Sequence, residues 1–246
     1  MKDIRWQIYV GLGLIALSAL LYLLHFFLFH DAEHIYIYLL GDIAFLPIEV
    51  LLVTLVIHQL LENRDTRAKL EKLNMVIGIF FSEAGTELLT YFSDNDPHLE
   101  EIRKDLMVSS EWSDNEFSRV TNLLRGYSCD VNIHSIDLPG LKQFVISKED
   151  LFLRMLENPT LLEHESFTEL LRAVFHLTEE LCRRKDLSSL PEIDLSHLAG
   201  DIRRVYGLLI LEWLSYMRYL KDSYPYLFSL AMRMNPFDEK ASVIVH

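Results

Sequence analysis

The chain has 246 residues, of which 50% are hydrophobic and 24% charged, with a formal net charge of −13. The charges are unevenly placed: no lysine or arginine occurs between Arg5 and Arg64, and from Trp6 to Leu61 only Asp31, Glu33, Asp42 and Glu49 carry charge. No soluble surface is built that way, so the pattern excludes a simple soluble enzyme and indicates a membrane protein. The acidic remainder lacks the basic stripe that nucleic-acid binding requires.

Residues 6–29 are free of formal charge, and about 20 apolar residues suffice for a helix to cross a bilayer. No small-x-small cleavage site follows them at Leu28, Phe29 and His30, so the first span reads as retained rather than as a secretory signal. The connector His30-Asp31-Ala32-Glu33-His34 is short, and a second apolar run covers residues 35–61. So short a link predicts an antiparallel helical hairpin. Lys2 and Arg5 flank one end, Arg64, Arg67, Lys69 and Lys72 the other, and the connector has no basic residue. The excess of positive charge on cytoplasmic flanks then predicts that both termini are cytoplasmic and that the connector faces out.

The second span carries Asp42 and Glu49 and contains Pro47. At 1.5 Å per residue from Ile35, Asp42 lies roughly 10 Å in and Glu49 roughly 21 Å in, near mid-membrane. A carboxylate at that depth costs several kcal/mol unless paired, hydrated or protonated. Seven residues fall about 20° short of two full turns, so both acids project from one face, about 10 Å apart. The same register continues through Leu52, Val56, Gln59, Asn63, Thr66, Leu70, Leu73, Ile77, Phe80 and Ala84, an increasingly apolar seam that suits self-association through the span and its cytoplasmic extension.

Two readings follow. In one, second spans of a homo-oligomer line an axis, and Glu49 and Asp42 face a cation pathway or cation sensor. In the other, the acids fasten helices, Asp42 through Tyr22 or His25 and Glu49 through Ser18, in a membrane-anchored interaction or signalling scaffold. The calcium-uniporter class also pairs two spans with an acidic motif. Its Trp-Asp-x-x-Glu-Pro signature is not met here, where proline precedes Glu49.

The connector residues His30, Asp31, Glu33 and His34 are of types that bind divalent cations, which makes an outer-mouth metal or proton site one reading and polar helix capping the other.

Beyond the hairpin the sequence predicts a juxtamembrane helix over 62–93, a cytoplasmic helical domain over 94–237 and a disordered tail over 238–246. Pro97 opens a short helix, and Ser113-Asp114-Asn115-Glu116 is a capping box for a helix to about Gly126. Residues 127–140, ending in Pro139-Gly140, read as an extended loop. Ser147-Lys148-Glu149-Asp150 reads as the cap of the next helix. Amphipathic helices follow over 165–184 and from about Asp194, broken at Pro225.

Within this bundle His176 and Glu180, and His197 and Asp201, form His-x-x-x-acid pairs of a spacing used in helical iron sites. The same pairs occur as solvated ion pairs on helix faces. Cys129 and Cys182 show no metal-ligand spacing and are too few for a disulfide framework. No phosphate loop, nucleophile elbow or His-Glu-x-x-His motif is present, so nothing argues for an enzyme or a bound cofactor beyond a divalent cation. The bilayer and further copies of the chain are the implied partners, with a protein partner for the cytoplasmic domain.

The stretches Leu46-Pro47-Ile48-Glu49-Val50-Leu51-Leu52, Asn158-Pro159-Thr160-Leu161-Leu162 with its continuation to Phe167, and Tyr224-Pro225-Tyr226-Leu227-Phe228-Ser229-Leu230 resemble those of uncharacterised prokaryotic two-span membrane proteins. The resemblance covers most of the chain and implies no activity.

Overall fold

The computed structural model describes residues 2–162 and 164–244. Among them the chain is all α, 78% helix without a strand. It divides into two compact units, residues 1–66 and 67–246.

In the first unit, α1 (Lys2–Phe29) and α2 (Ala32–Phe80) are separated by His30 and Asp31 alone. His30 takes a left-handed φ of 52° and donates its N–H to the Phe26 carbonyl at 2.9 Å, the arrangement in which helices commonly stop, though usually on glycine. Asp31 then accepts the His34 N–H at 3.0 Å and caps α2. The stretches Ile8–Phe29 and Ala32–Glu62 are long and apolar enough to cross a membrane, with mean hydropathy 2.3 and 2.2. No residue of either is buried, and α1 and α2 make almost no contact beyond the turn. Nothing in the unit itself shields these side chains, so their burial must come from lipid or from further chains.

A third stretch, Leu70–Ser93, also meets the length and hydropathy test, but 44% of it is buried within the second unit. Here α2 passes through a π-helical turn, Phe81–Gly85, into α3 (Thr86–Ser93), so the helical path continues as the absence of proline predicts. The Thr86 hydroxyl donates to the Phe81 carbonyl at 2.9 Å and closes the wide turn. Leu73, Ile77, Phe80 and Ala84 are all buried in the core of their own unit. This corrects the expected subunit seam. A heptad-spaced apolar stripe needs a cover, and from Leu73 onward the chain's own helices supply it.

The remaining helices are α4 (Asp114–Gly126), α5 (Leu138–Ser147), α6 (Glu149–Leu156), α7 (Pro159–Leu162), α8 (Glu165–Arg183), α9 (Glu192–Ser223) and α10 (Pro225–Arg233). Two 3₁₀ turns, Leu99–Glu101 and Arg103–Leu106, follow Pro97. The central pair is α8 against α9; α4, α10 and α3 also lie on α9, and α6, α5 and α7 on α8. Leu170, Val174, Leu177 and Leu181 of α8 meet Leu198, Ile202, Val205 and Leu209 of α9 in one core cluster, all nearly inaccessible.

Helix starts obey the caps with two exceptions. Ser113 accepts the Glu116 N–H at 3.3 Å as expected. The loop expected to run to Gly140 instead ends at Asp137, whose carboxylate accepts the Gly140 N–H at 3.0 Å. Pro139 thereby sits in the first turn of α5, where a missing N–H is harmless. Ser147 caps nothing: its hydroxyl donates back to the Phe144 carbonyl at 2.6 Å, and α6 starts from Lys148. In the tail, the Ser242 N–H donates to the Arg233 carbonyl at 2.9 Å and Arg103 donates to the Phe237 carbonyl at 3.1 Å.

Gly85 tests the π-turn packing. A Cβ there would lie 2.7 Å from ring atoms of Phe80 and Phe81, both buried. Gly85→Ala is expected to destabilise the second unit by about 1–3 kcal/mol through overpacking, seen as a lowered thermal midpoint by circular dichroism.

Candidate functional site

Three groups of side chains singled out by the sequence have defined surroundings. Asp42 and Glu49 stand on one continuous helix, two turns apart. Both are exposed, and among the described residues neither has a hydrogen-bond or ion-pair partner. Tyr22, His25 and Ser18, the expected intrachain partners, do not reach them, because α1 and α2 part after the turn. Pro47 adds a third polar element. Lacking an N–H, it leaves the Ile43 carbonyl without its helical donor, and that oxygen lies on α2 between the two acids.

At the turn, His30, Asp31, Glu33 and His34 are all exposed. The backbone contacts above engage His30 and Asp31, so capping accounts for these two. His25, expected as a partner of Asp42, stands beside His34 at the turn instead. Its ring lies 6.1 Å from that of His34, centre to centre, with the planes at 85°.

In the second unit, antiparallel packing of α8 on α9 does gather His176, Glu180, His197 and Asp201. His176 Nε2 is 3.7 Å and His197 Nε2 3.4 Å from Asp201 Oδ2, and His197 Nε2 is 3.8 Å from Glu180 Oε2. The contacts run as a ladder rather than around a point. Among the described residues no group of three or more His, Cys, Asp or Glu side chains is placed to hold a metal ion. The reason is visible in the neighbours the sequence reading omitted. Arg184 donates to Glu180 Oε2 at 2.6 Å and to both oxygens of Asp194 at 2.7 and 2.8 Å, so the carboxylate needed for a fourth ligand is already engaged. Asp201 is buried, and its Oδ2 has no hydrogen-bond donor among the described residues.

The Arg184 guanidinium, through its hydrogen bonds, holds the Glu180 and Asp194 carboxyls below their ordinary values of 4.5 and 3.8. A lowered folded-state value means that the folded form binds protons less readily than the unfolded one. The stabilisation is therefore present above the ordinary carboxylate range and is lost as pH falls through and below it. Arg184→Met is expected to lower the midpoint at pH 7 by a few degrees and to flatten the fall in stability between pH 5 and about pH 3, as read from thermal melts at stepped pH.

Burial pushes the Cys129 thiol up to about 12, so it is not an activated nucleophile.

The model of the "MJ1433, N-terminal helical domain" matches residues 2–61, and that of the "Uncharacterized protein MJ1433, C-terminal helical domain" matches residues 69–233. The chain is 50% identical over 244 residues to Uncharacterized protein MJ1433 of Methanocaldococcus jannaschii, covering 99% of this chain and 98% of that one. No solved structure matches.

Proposed function

The chain belongs to the MJ1433 family, and we propose that it is a homo-oligomeric integral membrane protein in which the second spans surround a cation-permeable or cation-sensing axis faced by Glu49 and Asp42. The observation that carries this reading is the pair of carboxylates on one face of a membrane-length helix, neither with a partner among the described residues. A lysine or arginine from the same span is ruled out by the sequence, so water, a proton, a cation or a neighbouring subunit must compensate them. Copies of α2 around an axis supply water and cations together. Positive flanks at both ends of the hairpin put the termini and the second unit in the cytoplasm. Subunit contact rests on the span itself, because the seam past Leu73 is used within the chain.

A second reading, a membrane-anchored scaffold, draws on a groove of about 390 Å³ in the second unit, where Met75, Ile79 and Leu227 are exposed beside Tyr216 and Tyr219. In that reading the acids serve helix association alone.

Purified protein in liposomes separates the two. Wild type is expected to carry a monovalent or divalent cation flux above empty liposomes, and Glu49→Gln to reduce it by roughly an order of magnitude through loss of the charged ring. Wild-type flux at the empty-liposome level rejects permeation and leaves the scaffold reading.

A further inference from the structure

We propose that His25 and His34 together bind a divalent transition-metal ion of the zinc, nickel and copper class at the turn of the hairpin. The two imidazoles come from different helices, His25 from the last two turns of α1 and His34 from the first turn of α2. Their ring centres are 6.1 Å apart. With metal–nitrogen bonds of about 2.0–2.1 Å, two imidazoles on one ion hold their ring centres about 5–6.5 Å apart, depending on the angle at the metal. A tetrahedral angle asks for about 5 Å, so the observed spacing is about 1 Å too wide, a gap that side-chain rotation closes without a change of backbone.

Each ring is also braced. His25 packs edge-on against Phe29 at 4.8 Å, and His34 lies against Tyr38 at 4.5 Å. The backbone between them is held by the His30 left-handed stop and by Asp31 on the His34 N–H. With the backbone of the turn held, binding an ion orders little more than the two rings themselves. The electrostatics point the same way independently of the rings: Asp31 and Glu33 stand beside the pair, and no lysine or arginine lies between Arg5 and Arg64 to repel a cation.

No third His, Cys, Asp or Glu among the described residues completes the set, so water fills the remaining positions. Structural zinc sites are closed by four protein ligands, whereas open sites exchange. An exchanging ion at the turn suits sensing or delivery rather than folding. The inference stands apart from the permeation reading, since it requires neither an axis nor flux.

The test is isothermal titration of Zn²⁺, and separately Ni²⁺, into chelator-stripped full-length protein in detergent. One ion per chain is expected for wild type, with affinity at least tenfold weaker in both His25→Gln and His34→Gln, while His30→Gln and the double variant His176→Gln/His197→Gln bind as wild type does. Wild type binding no more tightly than the double variant His25→Gln/His34→Gln overturns the proposal. So does a loss in His30→Gln equal to that in His34→Gln, which would place the ion on the exposed turn instead of between the helices. Circular dichroism of each variant confirms retained helix, so a loss of binding is not a loss of fold.

Discussion

A carboxylate in hydrocarbon needs a counterpart, and among the described residues Asp42 and Glu49 have none. The stretch between Arg5 and Arg64 offers no basic side chain. The near absence of contact between α1 and α2 removes the hydroxyl and imidazole partners that a closed hairpin would have brought to Asp42 and Glu49. Several kcal/mol of desolvation per acid therefore fall on something outside the single chain. The same lack of contact leaves both spans without one buried residue, so the apolar faces and the acids make a common demand for covering. The proposed assembly of second spans around water would answer both at once.

The second unit pairs most of its charges internally, although the buried Asp201 Oδ2 and Tyr206 hydroxyl lack hydrogen-bond partners among the described residues. α9 carries the core with α8, and the charged residues along their shared edge pair with one another, Arg184 joining Glu180 to Asp194. Because that arginine occupies the acids, the histidines beside them are left in a ladder with Asp201 rather than around an ion. The distribution of charge thus differs between the units: largely paired in the second, and without a partner at Asp42 and Glu49 in the first, among the described residues.

How much of this was legible in the sequence depends on what kind of force fixed each element. The spans were legible because exclusion of lysine and arginine over so long a stretch has one physical cause. The helix break at Pro225 was legible because proline removes a helical donor, although Pro47 stays within the continuous α2. The seam after Leu73 was legible as apolar but not as to its cover, since heptad spacing is the same whether the opposing surface is another subunit or the chain's own α9. α5 was lost because Pro139-Gly140 has two meanings, a turn or a first helical turn, and Asp137 decides between them only once its carboxylate is seen on the Gly140 N–H. The His176 and His197 pairing was legible from i, i+4 spacing. Arg184, which sets what that cluster is, sits at a helix end where sequence spacing alone does not place it. His25 was legible as a polar group in an apolar run but was assigned to Asp42, because its neighbour His34 shows only once the start of α2 is in place.

The central claim is that one face of α2, bearing Asp42 and Glu49, meets water within the membrane, and accessibility of single cysteines measures it most directly. In a Cys182→Ser background, Asp42→Cys and Glu49→Cys should react in intact membranes with a charged, membrane-impermeant thiol reagent, whereas Ala44→Cys and Leu51→Cys, on the opposite face, should not. Equal protection of all four positions would put the acids in a dry helix contact and contradict the account.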